Sequence, residues 1–266
     1  MLAHECACYL INLDRSPDRL ASVTSLLSAA GIAFERVAGI DGILLGDAEF
    51  LAQTRENRYY KPLRRGEVGC YLSHLEALQR FIASNRPYAL ILEDDVLLSD
   101  GVSGLVAAAI QLRERTGDAR LAWDVLKLAN SRSRLIDLAP LDAKHHLVEY
   151  GPSVPIATTA AVWTRDGAVR LLQQFRGVSR PIDCDLQHPW EYGLCIRSVH
   201  PVPVTSGADS VMGSDVLVTR SPWPKLRYEG RRFVRKWRYF VDSYGWRFML
   251  PWLWRRRLSY HPQGRD

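Results

Sequence analysis

The sequence predicts an α/β fold, a sheet of buried strands interleaved with amphipathic helices. Three observations lead to it: uncharged, largely apolar runs of strand length at residues 7–13, 88–92 and 157–163; apolar stripes at helical spacing between them; and Gly, Pro or Asn where one period gives way to the other. With 266 residues, 47% hydrophobic and 24% charged, the chain has the composition of one large globular domain or one and a half. The expected division is an α/β domain over residues 1–205 and a basic, aromatic-rich extension over 206–266.

Taken in order, residues 7–13 (A-C-Y-L-I-N-L) form a first strand. Ser16 is the candidate N-cap of the next helix, and Pro17 suits its first turn. Leu20, Val23, Leu26, Leu27 and Ala30 share one helical face, with Gly31 placed where a helix commonly stops. A second strand at 32–37 completes a strand, helix, strand unit of parallel type. Residues 45–65 carry no clear period and read as a long loop. A helix opens at Gly66 with Leu72, Leu75, Leu78, Phe81 and Ile82 as its stripe, and Asn85-Arg86-Pro87 end it before the strand at 88–92. Ser99 or Asp100 caps the following helix, residues 123–129 form another strand, and 130–146 are a loop or hairpin on the ligand side. His145 and His146 there lack an acid at ligand spacing and are discounted as a metal site. Thr164 caps a helix using Ala168, Leu171, Leu172 and Phe175, and a last strand at 194–199 precedes Pro201 and Pro203.

The chemistry centres on residues 88–98, Y-A-L-I-L-E-D-D-V-L-L. A buried strand runs directly into Glu93, Asp94 and Asp95, then back into apolar Val96, Leu97 and Leu98. Ligands of open α/β sheets collect at the carboxyl ends of strands, so acids there can meet a cation or a polar ligand. Alternation sends Glu93 and Asp95 to one side and Asp94 to the other, and the first two can share one ion. Acids after a strand are also common as a solvated loop or a helix cap. The apolar residues beyond them favour a crowded acidic turn that a divalent cation or hydrogen-bond donors must compensate. Oxygen ligands of this type suit Mg2+ or Mn2+ better than Zn2+. Further along, Asp183 and Asp185, then Trp190 and Glu191, suit a sugar site, since carboxylates bind hydroxyls and a ring stacks on a pyranose. The plainer account of these acids is the first turn of a helix. His74, beside its helix stripe, is by the same measure more often structural than catalytic.

Some classes are disfavoured. No apolar run reaches the roughly eighteen residues of a spanning helix, and M-L-A-H-E-C-A-C lacks the features of a secretory signal, so a cytosolic protein is expected. Cys6, Cys8, Cys70, Cys184 and Cys195 include no C-x-x-C pair, which indicates neither a disulfide framework nor a structural zinc site.

Four blocks carry a resemblance to glycosyltransferase family 25: Y-L-I-N-L-D-R-S-P-D-R at 9–19, G-E-V-G-C-Y-L-S-H at 66–74, L-I-L-E-D-D at 90–95 and T-T-A-A-V-W-T-R-D-G-A at 158–168, with a weaker P-I-D at 181–183. The resemblance implies a GT-A type fold, a Rossmann-like mixed sheet flanked by helices. It also implies a nucleotide-sugar donor, most often UDP-galactose, and inversion at the anomeric carbon on a lipooligosaccharide, lipopolysaccharide or related glycan. Carried over by residue, Glu93, Asp94 and Asp95 match the acidic motif that holds a divalent ion (Mn2+ or Mg2+) on the donor diphosphate, with Glu93 and Asp95 as ligands. Asn12, Arg15 and Arg19 match the motif bordering the nucleotide, and Ser73 and His74 match the G-x-x-G-C-x-x-S-H block. Ala161 departs from the Tyr that family members often carry. Inversion needs a base for the acceptor hydroxyl; Asp183 is the first choice, with Asp185, Glu191 and His74 behind it.

The net charge of +6 is unevenly spread: residues 225–258 hold eleven Lys or Arg against Glu229 and Asp242, so the rest of the chain is slightly acidic. Trp223, Trp237, Trp246, Trp252 and Trp254 are interleaved with those cations. Interfacial aromatics with a polybasic surface are the ingredients of attachment to anionic lipid, which points to the inner face of the cell membrane. No nucleic-acid module accompanies the segment, so nucleic acid is not the expected partner. A helix packed on the core is the competing account. A catalytically inactive family member, acting as a membrane-bound glycan-binding or scaffold subunit, is the alternative to an enzyme.

Overall fold

The computed structural model describes residues 5–129, 135–150, 154–207 and 223–244. Its elements in order are β1 (Cys6–Asn12), α1 (Pro17–Ala29), β2 (Glu35–Ala38), a 3-10 turn (Gly42–Leu44), α2 (Asp47–Gln53), α3 (Arg65–Ala83), β3 (Tyr88–Glu93), β4 (Val96–Leu98) and α4 (Val102–Arg115). There follow β5 (Val125–Lys127), β6 (Ile136–Pro140), β7 (His146–Glu149), β8 (Ala160–Thr164), α5 (Arg165–Gln174), α6 (Ile182–Asp185), a second 3-10 turn (Pro189–Glu191), β9 (Ile196–His200), β10 (Val204–Ser206) and α7 (Trp223–Tyr244). Eight strands make one mixed sheet in the order β2-β1-β3-β8-β5-β9-β7-β6. The first three are parallel, β8 runs against both its neighbours, and β5 and β9 are parallel to each other.

Helices cover both faces, which explains why the central strands carry no polar alternation. Along β3, Tyr88, Leu90 and Leu92 join the core built with α1 and α4, while Ala89 and Ile91 join the core built with α3 and α5. In β1, Cys6, Cys8 and Leu10 divide from Tyr9 and Ile11 in the same way. A strand buried on both faces reads as a continuous apolar run, and its period of two appears only when its neighbours are known. This mixed sheet flanked by helices is the arrangement the sequence predicts.

Several local expectations differ from the structure. Residues 45–65 are not a plain loop, because D-A-E-F-L-A-Q forms α2, whose Glu49 carboxylate accepts from Gly46 N at 3.0 Å. None of its residues is buried, so it has no apolar stripe to be seen in the sequence. Neither Ser99 nor Asp100 caps α4; Gly101 occupies that position in the left-handed region, at φ 77°. Residues 157–159 precede β8 instead of belonging to it. Beyond Pro203 the chain pairs once more, β10 lying antiparallel to β4, and Gly207 N donates to Asp95 O at 2.6 Å. The turn holding the three acids is therefore clamped from outside the main sheet.

The G-E-V-G-C-Y-L-S-H block also has a packing explanation. Gly69 of α3 lies under the loop 40–42, where a Cβ would meet backbone atoms of Ile40 and Gly42. One turn on, Ser73 is buried, donates to Gly69 O at 2.7 Å and accepts from Ile40 N at 2.7 Å. A Gly and a Ser four apart thus let that loop rest directly on the helix. Gly69→Ala should destabilise the fold by more than about 2 kcal/mol in urea unfolding, because the atoms in the way are backbone. Gly66→Ala, where the space is open, should change stability by less than about 1 kcal/mol.

Candidate functional site

Asn12 ends β1 and Glu93 ends β3, adjacent parallel strands, with β2 beyond β1 on one side and β8 beyond β3 on the other. This reversal of strand order opens a crevice outside the carboxyl ends of the strands. The three acids after β3 enter it in different company.

Asp94 turns towards α1, accepting from Asn12 Nδ2 at 2.7 Å and from Arg19 Nη1 at 3.3 Å. Arg36 of β2 donates from Nε to Asn12 Oδ1 at 3.0 Å, which fixes the amide from its other end. Glu93 continues the strand parity towards α3. His74 Nε2 lies 3.0 Å from its Oε1, and Thr158 Oγ1 donates to the same oxygen at 2.6 Å. Burial pushes the Glu93 carboxyl up, but the His74 and Thr158 bonds and the Lys127 charge outweigh it and hold the group below its ordinary value.

Asp95 lacks such partners. Its Oδ1 is buried and takes no hydrogen bond from the described residues. Burial, reinforced by the charges of Glu93 and Asp94 and opposed by Arg19, pushes its carboxyl from 3.8 up to about 6. An orphaned carboxylate oxygen amid like charges fits a hard divalent cation, which would supply the missing partner and offset the repulsion. Asp95, with Glu93 or Asp94 beside it, is the group that would hold such an ion.

Asp183, in α6, forms part of the opposite side. Its Oδ1 accepts from Cys184 N at 2.7 Å and its Oδ2 from Ala157 N at 3.4 Å. Its charge acts on Glu67 and Cys70, raising both, after burial as the larger cause, so Asp183 lies close to the first turns of α3. Ala157 has φ 89°, a conformation rare outside glycine. From it the Ala157 N–H reaches Asp183 while the next side chain, Thr158, reaches Glu93. Consecutive residues thereby tie the two acidic positions together.

The remaining predicted residues have other engagements. Asp185 is buried, paired with Arg180 Nε at 2.6 Å, and accepts from Tyr71 and Tyr192 at 2.7 and 2.6 Å. Glu191 is shared by Arg58 at 3.1 Å, by Arg180 and by Arg235 at 3.6 Å. Both carboxylates are neutralised by arginine, whereas among the described residues Asp183 has no cation within hydrogen-bond or ion-pair range and accepts from backbone N–H groups. Ser73 is spent on the loop 40–42 and does not reach the acids. Arg15 pairs with Asp41 at 2.7 Å, at the rim. His145 and His146 do have acid partners, Asp142 at 2.9 Å and Asp137 at 3.0 Å, because the β6–β7 hairpin returns the chain on itself.

Sequence reasoning missed Arg36, Thr158, Ala157, Lys127, Glu67 and Cys70. Glu67, Cys70 and Thr158 stand inside blocks that carry the family resemblance but have no role assigned there, and Lys127 leaves a signal as the one cation inside W-D-V-L-K-L-A, where it is buried and donates to Pro155 O at 2.6 Å.

Asp95→Asn should stabilise the chelated protein. The folded pKa of about 6 lies above the ordinary 3.8, so the stability contributed by the protonated acid is full below about pH 4 and lost as pH rises through 6. Above that window the amide should gain roughly 1–2 kcal/mol after solvent screening, a rise in Tm of about 2–6 °C by calorimetry. No gain at pH 7.5, or a gain that is largest at pH 4, would contradict the charge-crowding account.

The model of glycosyltransferase family 25 (LPS biosynthesis protein) matches residues 6–184. A glycosyltransferase 25 family member of Anopheles gambiae is 27% identical over 173 residues, 62% of this chain and 28% of that one. Human inactive glycosyltransferase 25 family member 3 is 26% identical over 246 residues, 81% of this chain and 39% of the relative. Mouse procollagen galactosyltransferase 2 is 28% identical over 134 residues, 48% of this chain and 21% of the other. The chain thus spans well under half the length of these curated relatives. Among solved structures, a Drosophila β-1,4-galactosyltransferase 7 mutant in complex with manganese, UDP-Gal and xylobiose aligns with a TM-score of 0.34 and 13% identity, covering 77% of this chain and 68% of that one. A family match over seven of the eight strands of the sheet, the acidic turn and the Asp183 segment places this chain in glycosyltransferase family 25.

Proposed function

We propose that the chain is a metal-dependent, inverting glycosyltransferase that moves a hexose from a nucleotide sugar onto a lipooligosaccharide, lipopolysaccharide or related glycan. UDP-galactose is the first donor to test, a choice supported by the galactosyltransferase named among the relatives. The observation that carries the reading is the unpartnered Asp95 Oδ1 in an acidic turn at the switch point of the sheet. Asp95, with Glu93 or Asp94, would hold a divalent ion there, which would supply neutralisation of the departing diphosphate. Arg19, half-exposed above Asp94, adds positive charge on the same side. Asn12 and Arg36 hold Asp94 in place and are positioning residues. Asp183 keeps lone pairs free on both oxygens, each taking one backbone N–H, and accepts the proton of the attacking hydroxyl.

The second reading, an inactive member acting as a glycan-binding or scaffold subunit, is favoured by the inactive human relative. A panel of nucleotide sugars with Mn2+ or chelator, read as nucleotide release with and without a glycan acceptor, separates the two. Metal-dependent turnover of one donor is expected. Asp183→Asn should lower kcat by about 10²- to 10⁴-fold with the donor KM little changed, and Asp95→Asn should abolish the metal dependence. No turnover of any donor, with acceptor binding retained, would favour the scaffold.

The address we propose is the inner membrane face, reached through α7. One side of this helix packs on the domain: Tyr228 and Arg232 are buried, and Tyr239 donates to Leu194 O at 2.8 Å. The opposite side leaves Trp223, Leu226, Phe233 and Val234 between 56% and 67% exposed. Helical spacing puts Arg227, Arg231 and Arg238 on one flank of that stripe and Lys225 and Lys236 on the other. Packing on the core uses one face of α7, and attachment to lipid, posed by the sequence as its alternative, would use the other. Trp246, Trp252 and Trp254 lie outside the described residues. Among those described, no helix is long and apolar enough to cross a membrane. Sedimentation with anionic vesicles should carry the protein down, zwitterionic vesicles should not, and Arg227→Glu with Arg231→Glu should weaken partition by roughly tenfold or more. Equal binding to both vesicle types would remove the electrostatic part of the proposal.

A further inference from the structure

The crevice contains a donor set that the hard-cation reading does not use. Cys70 and His74 stand one turn apart on α3, and Glu93 meets them from the end of β3. Cys70 Sγ, a His74 ring nitrogen and a Glu93 carboxylate oxygen all lie within 4.8 Å of one another. Zinc bonds of about 2.0–2.1 Å to N or O and about 2.3 Å to S place tetrahedral ligand atoms roughly 3.3–3.6 Å apart, so small side-chain rotations would close the set. Cys70 is exposed as a residue, so an ion has access to it, while burial of its sulfur and then the negative charges of Glu93, Asp183, Asp95 and Glu67 hold the thiol well above its ordinary value, charges that a bound cation would offset. The helix fixes the Cys–His spacing, while Glu93 is held in reach by His74 itself at 3.0 Å.

We infer that Cys70, His74 and Glu93 form a site for one borderline-soft divalent cation, Zn2+ in the first instance, distinct from the hard-ion position at Asp95. Thiolate and imidazole select such an ion over Mg2+ or Mn2+, which prefer all-oxygen surroundings. Three protein ligands leave a fourth position open to the crevice. Binding forms Zn–S, Zn–N and Zn–O contacts; the Cys70 thiol gives its proton to solvent, His74 presents a neutral nitrogen, and no electron is transferred. Because Glu93 belongs to both settings, a soft ion here withdraws a carboxylate from the neighbourhood of Asp95. No spacing rule marks this set, since its third member is nineteen positions away from its second on another element.

The test uses the untagged full chain, freed of metal and titrated with Co2+ as a spectroscopic substitute, then with Zn2+. A thiolate-to-cobalt charge-transfer band with tetrahedral d–d absorption, saturating at one equivalent and displaced by Zn2+, is expected. Cys70→Ser should abolish the charge-transfer band, and His74→Gln should weaken Co2+ binding by at least about tenfold, with circular dichroism confirming that both variants fold. Asp95→Asn should keep the band, which separates this site from the hard-ion position and from the fate of the transferase reading. A wild-type protein without the band, a band that survives Cys70→Ser, or unchanged affinity in His74→Gln would overturn the site and leave His74 and Glu93 as a hydrogen-bonded pair.

Discussion

Three consecutive carboxylates emerge where β3 leaves the core, and the elements around them are arranged to tolerate that charge. Asp94 is satisfied from β1 and α1 through Asn12 and Arg19, and Glu93 from α3 and the approach to β8 through His74 and Thr158. Asp95 keeps an oxygen that none of the described residues satisfies. Like charges so close raise one another's pKa, and the turn that holds them is stabilised only as far as each acid finds a donor or a cation. The shortfall at Asp95 is the feature on which the proposed metal-dependent function rests, and it is a local instability that the surrounding fold absorbs.

The support is shared between layers. Arg36 on β2 orients Asn12 on β1, which orients Asp94 after β3, so three parallel strands act in series. On the other face, Gly69 and Ser73 seat the loop 40–42 on α3, the same helix that aims His74 at Glu93. One sequence block therefore serves both packing and the site. Its glycine and serine are explained by close approach, its histidine by the carboxylate, and its cysteine by neither.

A buried network lies between the crevice and α7. Arg180 neutralises Asp185 and Glu191 together, two tyrosines complete Asp185, and Arg235 of α7 joins Glu191 from the surface. Removing any one partner from such a cluster leaves a desolvated charge, so these acids serve the fold, while their neighbour Asp183 accepts from the backbone N–H groups of Ala157 and Cys184 among the described residues. The same network seats the inner face of α7, which leaves its apolar and basic faces outward.

Residue order was enough to determine the α/β class, the strand at 88–92, the cap at Thr164 and the crowding of Glu93, Asp94 and Asp95 at a strand end, because apolar period and local charge are carried by neighbours in the chain. It could not show α2, which buries nothing, nor distinguish Asp183 from Asp185 and Glu191, since their difference lies in Arg180, Arg58 and Arg235. Nor could it tell that Thr158 and Lys127 attend Glu93, or that Ser73 is spent on a loop thirty-three positions away. Those assignments depend on which strands lie side by side and which helix covers them. Hydrogen bonds and ion pairs act over a few ångströms of space whatever the separation in sequence, so tertiary structure alone decided which acids are satisfied and which one is left wanting a partner.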